Sequence, residues 1–154
     1  MVVFRGLETA AVEAVRAGGP DANGMVGERK ISDGDGNPCR HCLRDIPAGE
    51  GMLVLAWRPF ATVQAYAELG PIFLCEGACA AWEGDGVPPI LTTSPGYLVR
   101  GYGHDERIRY GTGGFVAASE IAAAVAARLA DRDTAFVHLR SASNNCFQCR
   151  AERS

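Results

Sequence analysis

The sequence predicts an α+β fold, a mainly antiparallel sheet with an N-terminal helix and one Ala-rich helix before a C-terminal β-hairpin. Short apolar runs bounded by glycine or proline are typical of strands rather than helices. Most of these runs are followed by turn sequences, whereas the two helical patterns stand at separate points of the chain. Because strands joined by turns pair in antiparallel fashion, a doubly wound parallel sheet is disfavoured.

The two helices are predicted from the spacing of apolar residues. Residues 7–17 carry apolar side chains at helical intervals and are followed by a Gly-Gly-Pro stop. Residues 119–130 are rich in alanine, and Ser119 is predicted to cap this second helix. Glu120 in its first turn and Arg128 near its end complement the helix dipole.

The strands are predicted from short apolar or alternating segments. They are residues 52–57, 71–75, 97–102, 107–110, 135–142 and 146–152. Four turn residues join the third segment to the fourth, and Ser143-Asn144-Asn145 joins the last two, so each pair is predicted to be a hairpin. Residues 21–38 are rich in turn-forming residues and are predicted to be a long loop.

One domain spanning residues 1–154 is the expected organisation, because this length is usual for a single domain. The composition, 47% hydrophobic and 21% charged, is that of a globular protein. A net charge of -3 disfavours binding to nucleic acid or to an anionic membrane. The start of the chain lacks the features of a secretory signal, and no apolar run is long enough to span a membrane. A cytoplasmic location is therefore expected, while partner proteins and oligomeric state stay open.

Six cysteines form three close pairs, C-R-H-C at 39–42, C-E-G-A-C at 75–79 and C-F-Q-C at 146–149. In a reducing compartment, such pairs favour thiols, metal ligands or redox groups over structural disulfides. A structural zinc ion takes four ligands, and a C-x-x-C turn presents two thiolates to one ion. The sequence therefore predicts a zinc site built from two of the three pairs.

Local geometry selects two of these pairs. Cys146 and Cys149 are three positions apart in a predicted strand, so their side chains point to opposite faces. Cys75 and Cys79 follow a strand, where a helical turn would place both sulfur atoms on one side. The predicted zinc ligands are Cys39, Cys42, Cys75 and Cys79, with His41 as an alternative ligand. The competing interpretation is that there is no metal and that the cysteines only pack in the core.

A second candidate site lies on the C-terminal hairpin, where the predicted register places Ala142 opposite Cys146. One face of the sheet then carries His138, Arg140, Cys146, Gln148 and Arg150. The two arginines and Gln148 are candidates for binding a small anion. Cys146 and His138 are candidates for catalysis, because neighbouring positive charge lowers the pKa of a thiol. The competing interpretation is an ordinary solvated face of an antiparallel sheet.

Five ordered motifs, which extend from about residue 38 to residue 153, resemble a known family. They are PCRHCL at 38–43, GPIFL at 70–74, VRGY at 99–102, YGTG at 110–113 and NCFQCRAER at 145–153. In these motifs the chain is similar to the bacterial family called domain of unknown function 1203. The resemblance implies no particular activity.

Two classes of function follow from these patterns. The first is a small bacterial protein in which a cysteine-rich structural zinc site stabilises a binding or interaction module. The second is a small-molecule anion-binding protein or a thiol-dependent enzyme that uses Cys146, His138 and the neighbouring arginines. The sequence leaves open whether the protein is an enzyme.

Overall fold

The structure, a computed structural model, describes all residues from 1 to 154. Eight strands and two α-helices follow one another as β1 (Val2–Arg5), α1 (Thr9–Arg16), β2 (Glu28–Ile31), β3 (Gly51–Trp57), β4 (Gly70–Cys75), β5 (Gly96–Tyr102), β6 (Gly114–Ala117), α2 (Ile121–Ala130), β7 (Phe136–Ser141) and β8 (Phe147–Arg153). Short 3-10 turns lie at Pro89–Leu91 and Ala118–Glu120. All strand pairs are antiparallel, so the predicted α+β class with a C-terminal hairpin is confirmed.

The larger sheet has five strands in the order β1-β8-β7-β5-β6. Helix α2 covers one face of it, because Ile121, Val125 and Leu129 form a buried stripe at helical spacing. This stripe packs with buried residues of the central strands, such as Val99 and Leu139, in a cluster of 14 residues. The opposite face, which we call the outer face, carries charged and aromatic side chains of the three central strands, namely Arg100, Tyr102, Phe136, His138 and Arg150.

The smaller sheet has three strands in the order β2-β3-β4 and packs against helix α1. Val12 and Val15 are the buried residues of α1, and they join apolar residues of β3 and β4 in a cluster of nine. The protein thus has two hydrophobic clusters, one for each sheet.

Three predictions about single elements are wrong. Residues 21–38 are not one loop, because Glu28–Ile31 forms strand β2 at the edge of the smaller sheet. All four side chains of β2 are exposed, so this strand forms without the alternation of apolar and polar residues from which strands are predicted. Residues 107–110 are not a strand: Ile108 makes one isolated bridge to Tyr102, and the partner of β5 on that side is β6. Ser119 does not cap α2, because it lies inside the 3-10 turn that precedes the helix.

The C-terminal hairpin has the predicted pairing of His138 with Arg150. Nearer the turn the register shifts between Leu139 and Arg140, so that Arg140 pairs with Phe147 rather than with the predicted Gln148. Such a bulge places two residues of one strand opposite one residue of the other.

No helix of the structure has the length and apolar character needed to cross a bilayer.

Candidate functional site

The structure brings together the thiol groups of two cysteine pairs. Cys39 and Cys42 lie in a tight turn between β2 and β3, Cys75 ends β4, and Cys79 follows in the next segment. The sulfur atoms of these four residues all lie within 4.8 Å of one another. They are the four residues that the sequence analysis selected as zinc ligands.

The distances fit a tetrahedral thiolate centre. Zinc–sulfur bonds of about 2.3 Å give a tetrahedron whose sulfur atoms are about 3.8 Å apart. The Sγ atoms of Cys39 and Cys79 are 3.9 Å apart. This separation is far from the length of a disulfide, and all six cysteines are free. The residues present therefore fit a metal ion that prefers four sulfur ligands.

The backbone of the first pair forms a closed turn. The amide of Leu43 donates a hydrogen bond to the carbonyl oxygen of Cys39 at 3.0 Å, and the amide of Cys39 donates to the carbonyl oxygen of Arg44 at 2.9 Å. Leu43 adopts a left-handed conformation with a φ of 53°, which reverses the chain directly after the second cysteine. The turn therefore presents the sulfur atoms of Cys39 and Cys42 towards the same point.

Hydrogen-bond donors surround the sulfur atoms. Nη2 of Arg16 donates to Sγ of Cys79 at 3.0 Å, and its Nε donates to the carbonyl oxygen of Cys75. The amide of Cys75 donates to Sγ of Cys39 at 3.4 Å. Such donors stabilise a thiolate relative to a thiol.

The thiols within the cluster share protons unequally. Hydrogen bonds from Cys42 and then from Cys75 lower the pKa of Cys39 well below its ordinary value. The hydrogen bond between Cys39 and Cys42 raises the pKa of Cys42 to about 12. The pKa of Cys75 is also raised, chiefly by its hydrogen bond to Cys39. Negative charge is therefore concentrated on Cys39, the most deeply buried of the four residues.

His41, the alternative ligand, lies beside Cys79. Its Nδ1 is 3.2 Å from Sγ of Cys79, and its Nε2 is 2.9 Å from Oγ1 of Thr9 on helix α1. The ring is therefore held between a sulfur atom of the cluster and a helix. The four sulfur atoms complete a tetrahedral set without it.

The turn from Cys39 to Leu43 also connects the two hydrophobic clusters. Cys39 belongs to the cluster of the smaller sheet, and Leu43 belongs to that of the larger sheet. Between them Arg40 is almost fully buried, and it donates from Nε to the carbonyl oxygen of Phe147 at 2.7 Å and from Nη1 to that of Pro38 at 2.6 Å. Burial lowers the pKa of Arg40 to about 10, and the group stays charged at neutral pH.

The structure distributes the residues of the second candidate site over three cavities. His138 and Arg150 line one cleft, Gln148 and Cys146 line another, and Arg140 lines a third together with Cys146. No hydrogen bond connects Cys146 with His138, and the thiol of Cys146 donates instead to the carbonyl oxygen of Asn144, at 3.8 Å. The catalytic pairing of these two residues stays a prediction.

The predicted anion-binding arginines have carboxylate partners. Nη2 of Arg140 lies 2.8 Å from a carboxylate oxygen of Glu68, and Nη1 donates to the carbonyl oxygen of Asn145. Nε of Arg150 donates to Glu152 at 2.9 Å. Gln148 donates only to the carbonyl oxygen of Cys146, at 3.4 Å.

His138 is fully buried among four aromatic rings. The rings are Phe60, Tyr102, Phe136 and Phe147, with centroids 4.8 to 5.1 Å from that of the imidazole. Neither ring nitrogen of His138 has a hydrogen-bond partner. Burial, followed by the charges of Arg140 and Arg150, holds the pKa of His138 well below its ordinary value, so the ring is neutral.

The sequence pattern of one protein family matches residues 36–153, most of the chain. This chain belongs to the family described as protein of unknown function, DUF1203. The matched region includes the whole cysteine cluster and the C-terminal hairpin. No curated protein and no solved structure matches this DUF1203 chain.

Sequence reasoning missed the residues that surround the cysteines of this DUF1203 protein. Arg16 is 63 positions from Cys79 in the chain, and Arg40 is 107 positions from Phe147. No local pattern connects such positions. The one available signal was the arginine inside the C-R-H-C motif, since an arginine between two core cysteines needs buried acceptors.

Proposed function

We propose that Cys39, Cys42, Cys75 and Cys79 bind one zinc ion, which stabilises a small binding module. The observation that carries this proposal is the convergence of four thiol sulfur atoms within 4.8 Å from three separate segments of the chain. Four protein ligands fill the coordination of zinc and leave no position for a substrate. The site is therefore structural rather than catalytic.

The surroundings of the cluster suit a negatively charged centre. Zinc with four thiolates carries two negative charges, which cost free energy when they are buried without compensation. Arg16 donates directly to the sulfur of Cys79. Nδ1 of His41 can donate to the same sulfur atom, and the charge of Arg40 acts on Cys39. These groups offset the charge of a bound zinc–thiolate centre.

The metal would hold separate parts of the fold in place. It would fix the Cys39–Cys42 turn to the end of β4 and to the segment around Cys79. The same turn reaches the larger sheet through Arg40 and Leu43. Because few sites preform in an unfolded chain, the free energy of metal binding contributes to folding.

The thiol-dependent alternative has less support. The thiol of Cys146 has no base within hydrogen-bond distance, and Cys149 is buried in the core, where burial raises its pKa. The clefts of this protein present charged and aromatic groups for binding. We therefore propose binding rather than catalysis as its role.

Elemental analysis of protein purified without a histidine tag or chelator tests the zinc site. We expect about one zinc ion per chain, which is the stoichiometry of a single tetrahedral site. A Cys75→Ser variant removes one of the four ligands and should lose the metal, whereas the matched Cys146→Ser variant should keep it. Under native conditions, iodoacetamide should modify Cys146 and spare the other five cysteines.

Absence of bound metal together with modification of all four cluster thiols in the folded protein would overturn the proposal. Metal retained by Cys75→Ser at full stoichiometry would exclude this ligand set. Stability measured with and without a chelator then separates a structural ion from a surface ion, because only removal of a structural ion lowers the unfolding temperature substantially.

A further inference from the structure

A cleft of about 440 Å³ separates the outer face of the larger sheet from the segment that follows β3. His138, Phe147 and Arg150 contribute the side of the sheet, and Trp57 and Phe60 contribute the opposite wall. Residues of the chain between β1 and α1 close one end. The residues on the sheet side of the cleft begin with His138, 59 positions after Cys79 in the chain, and no cluster cysteine lines the cleft.

His138 is the unusual group in this cleft. It is 0% exposed, yet both nitrogen atoms of its ring lack a hydrogen-bond partner. The hydroxyl group of Tyr102, whose ring centroid lies 4.8 Å from that of His138, also lacks one. Buried polar groups are almost always hydrogen-bonded, and an unpaired one costs free energy. Of these two residues only His138 lines the cleft, and its two unpaired ring nitrogen atoms are typical of a site that receives a polar ligand group.

The charges around His138 define the sign of that group. Burial is the main reason that the pKa of His138 is lowered and its ring is neutral. The charges of Arg140 on the same strand, and of Arg150 and Arg100 on the neighbouring strands, act in the same direction. A neutral imidazole offers one N–H donor and one lone pair. Arg150 is the residue directly opposite His138 across β7 and β8, and only its Nε is engaged, by Glu152. A donor of His138 and the free guanidinium nitrogen atoms of Arg150 thus lie on the same face.

The cleft already contains a carboxylate held by arginines. Glu152 accepts from Nε of Arg5 at 2.7 Å and from Nε of Arg150 at 2.9 Å. Arg58 and Glu8 also line the cleft, so the positive charges of three arginines exceed the negative charges of two glutamates. The whole chain, by contrast, has a net charge of -3. A small anion is therefore attracted to this part of the surface.

The apolar surroundings define the rest of the ligand. The guanidinium carbon of Arg150 lies 3.9 Å from the ring centroid of Phe136, which holds the arginine flat on an aromatic face. Phe147 and Phe60 both contact the ring of His138, and both line the cleft. A flat apolar body fits between such rings.

We propose that this cleft binds a small carboxylic acid with an aromatic body, whose carboxylate accepts hydrogen bonds from His138 and Arg150. The ring of the ligand packs against Phe60, Phe147 and Trp57. The site is separate from the zinc centre, and the metal contributes no ligand contact to it.

Benzoate is the probe that tests this site, and benzamide is its uncharged counterpart. Titration of zinc-loaded, isotope-labelled protein with benzoate should shift the ring resonances of His138 and the amide resonances of Phe147 and Arg150. A ligand of this size binds with a dissociation constant of millimolar order. Benzamide should bind about tenfold more weakly, since it forms no charge-assisted hydrogen bond.

Two variants and one control locate the carboxylate. Arg150→Gln and His138→Phe should each weaken benzoate binding about tenfold, because each removes one donor to the carboxylate. Arg29→Gln is the matched control, since Arg29 pairs with Glu76 at the edge of the smaller sheet as Arg150 pairs with Glu152. This control should bind benzoate like the wild type. Far-UV circular dichroism and zinc content confirm that each variant is folded.

Two kinds of result would overturn the proposal. One is a titration in which benzoate leaves the resonances of His138 unchanged, which would mean that the imidazole is buried without a ligand role. The other is equal binding of benzoate and benzamide, or equal binding by the wild type and Arg150→Gln, which would exclude recognition of the carboxylate. Neither result depends on the identity of the metal.

Discussion

The neutral, buried state of His138 makes the stability of the protein depend on pH. The ordinary pKa of a histidine is 6.5, and burial lowers that of His138 well below this value in the folded state. In the unfolded chain the ring takes up a proton near pH 6.5, whereas in the folded protein it stays neutral. The unfolded state therefore binds more protons below pH 6.5, and the free energy of unfolding decreases as the pH falls.

The size of the effect follows from this difference in proton binding. One such histidine reduces the free energy of unfolding by about 1.4 kcal/mol for each pH unit below about 6.5. Between pH 8 and pH 5 the reduction amounts to about 2 kcal/mol. Replacement of His138 by phenylalanine keeps an aromatic ring among its four aromatic neighbours and removes the titrating group.

We expect the His138→Phe variant to gain about 2 kcal/mol relative to the wild type when the pH changes from 8 to 5. Urea denaturation, monitored by the fluorescence of Trp57 and Trp82 with zinc in excess, gives the free energy of unfolding at each pH. His104→Phe is the matched control, because His104 lies at an exposed turn. The titration of other groups is common to all three proteins and cancels in the comparison.

A constant difference in stability between the wild type and His138→Phe from pH 8 to pH 5 would refute this reasoning. It would mean that the imidazole becomes protonated in the folded protein as readily as in the unfolded chain. The absolute difference at pH 8 is a separate quantity, because it includes the unpaired nitrogen atoms and the larger ring of phenylalanine.

Two further predictions concern the turn that carries the first cysteine pair. Arg40→Lys should destabilise the protein by about 2 to 4 kcal/mol, since lysine cannot donate to the carbonyl oxygens of Phe147 and Pro38 together. Urea denaturation measures this loss of stability, with Arg44→Lys as the control. An unchanged denaturation midpoint for Arg40→Lys would contradict the prediction. Gly6→Ala should lower both the unfolding temperature and the affinity for zinc, because its Cβ would lie 2.3 Å from the carbonyl oxygen of His41. Gly114→Ala, whose Cβ would meet nothing within 4 Å, is the control. Thermal denaturation and competition with a chromogenic chelator measure the two effects, and equal values for Gly6→Ala and the wild type would contradict this expectation.

Local patterns in the sequence were sufficient for both helices and for the strands with continuous apolar runs, such as β3, β4 and β5. Helix α2 was predicted with nearly correct bounds because Ile121, Val125 and Leu129 repeat at helical spacing. Strand β2 was missed because its side chains are all exposed, and its position depends on pairing with β3 rather than on its own residues. Residues 107–110 were predicted as a strand because a four-residue turn separates them from β5, although β6 occupies that side of β5.

The candidate sites show the same division between local and distant information. The four clustered cysteines were selected from spacing within the pairs, because a C-x-x-C turn and an i,i+4 pair are local geometries. The hairpin face was predicted less accurately, since the bulge after Leu139 changes which residues lie opposite Arg140. The aromatic surroundings of His138 come in part from Phe60, which is far away in the sequence and has no local signal.

The turn from Cys39 to Leu43 couples the unfolding of the two sheets. Its two ends are embedded in different hydrophobic clusters, and its middle is bonded to β8 through Arg40. Neither cluster can lose its packing without displacing residues of the other. Amide hydrogen exchange in both sheets should therefore proceed through one cooperative opening while the turn is intact, and the slowest amides of β3 and β7 should exchange at similar rates.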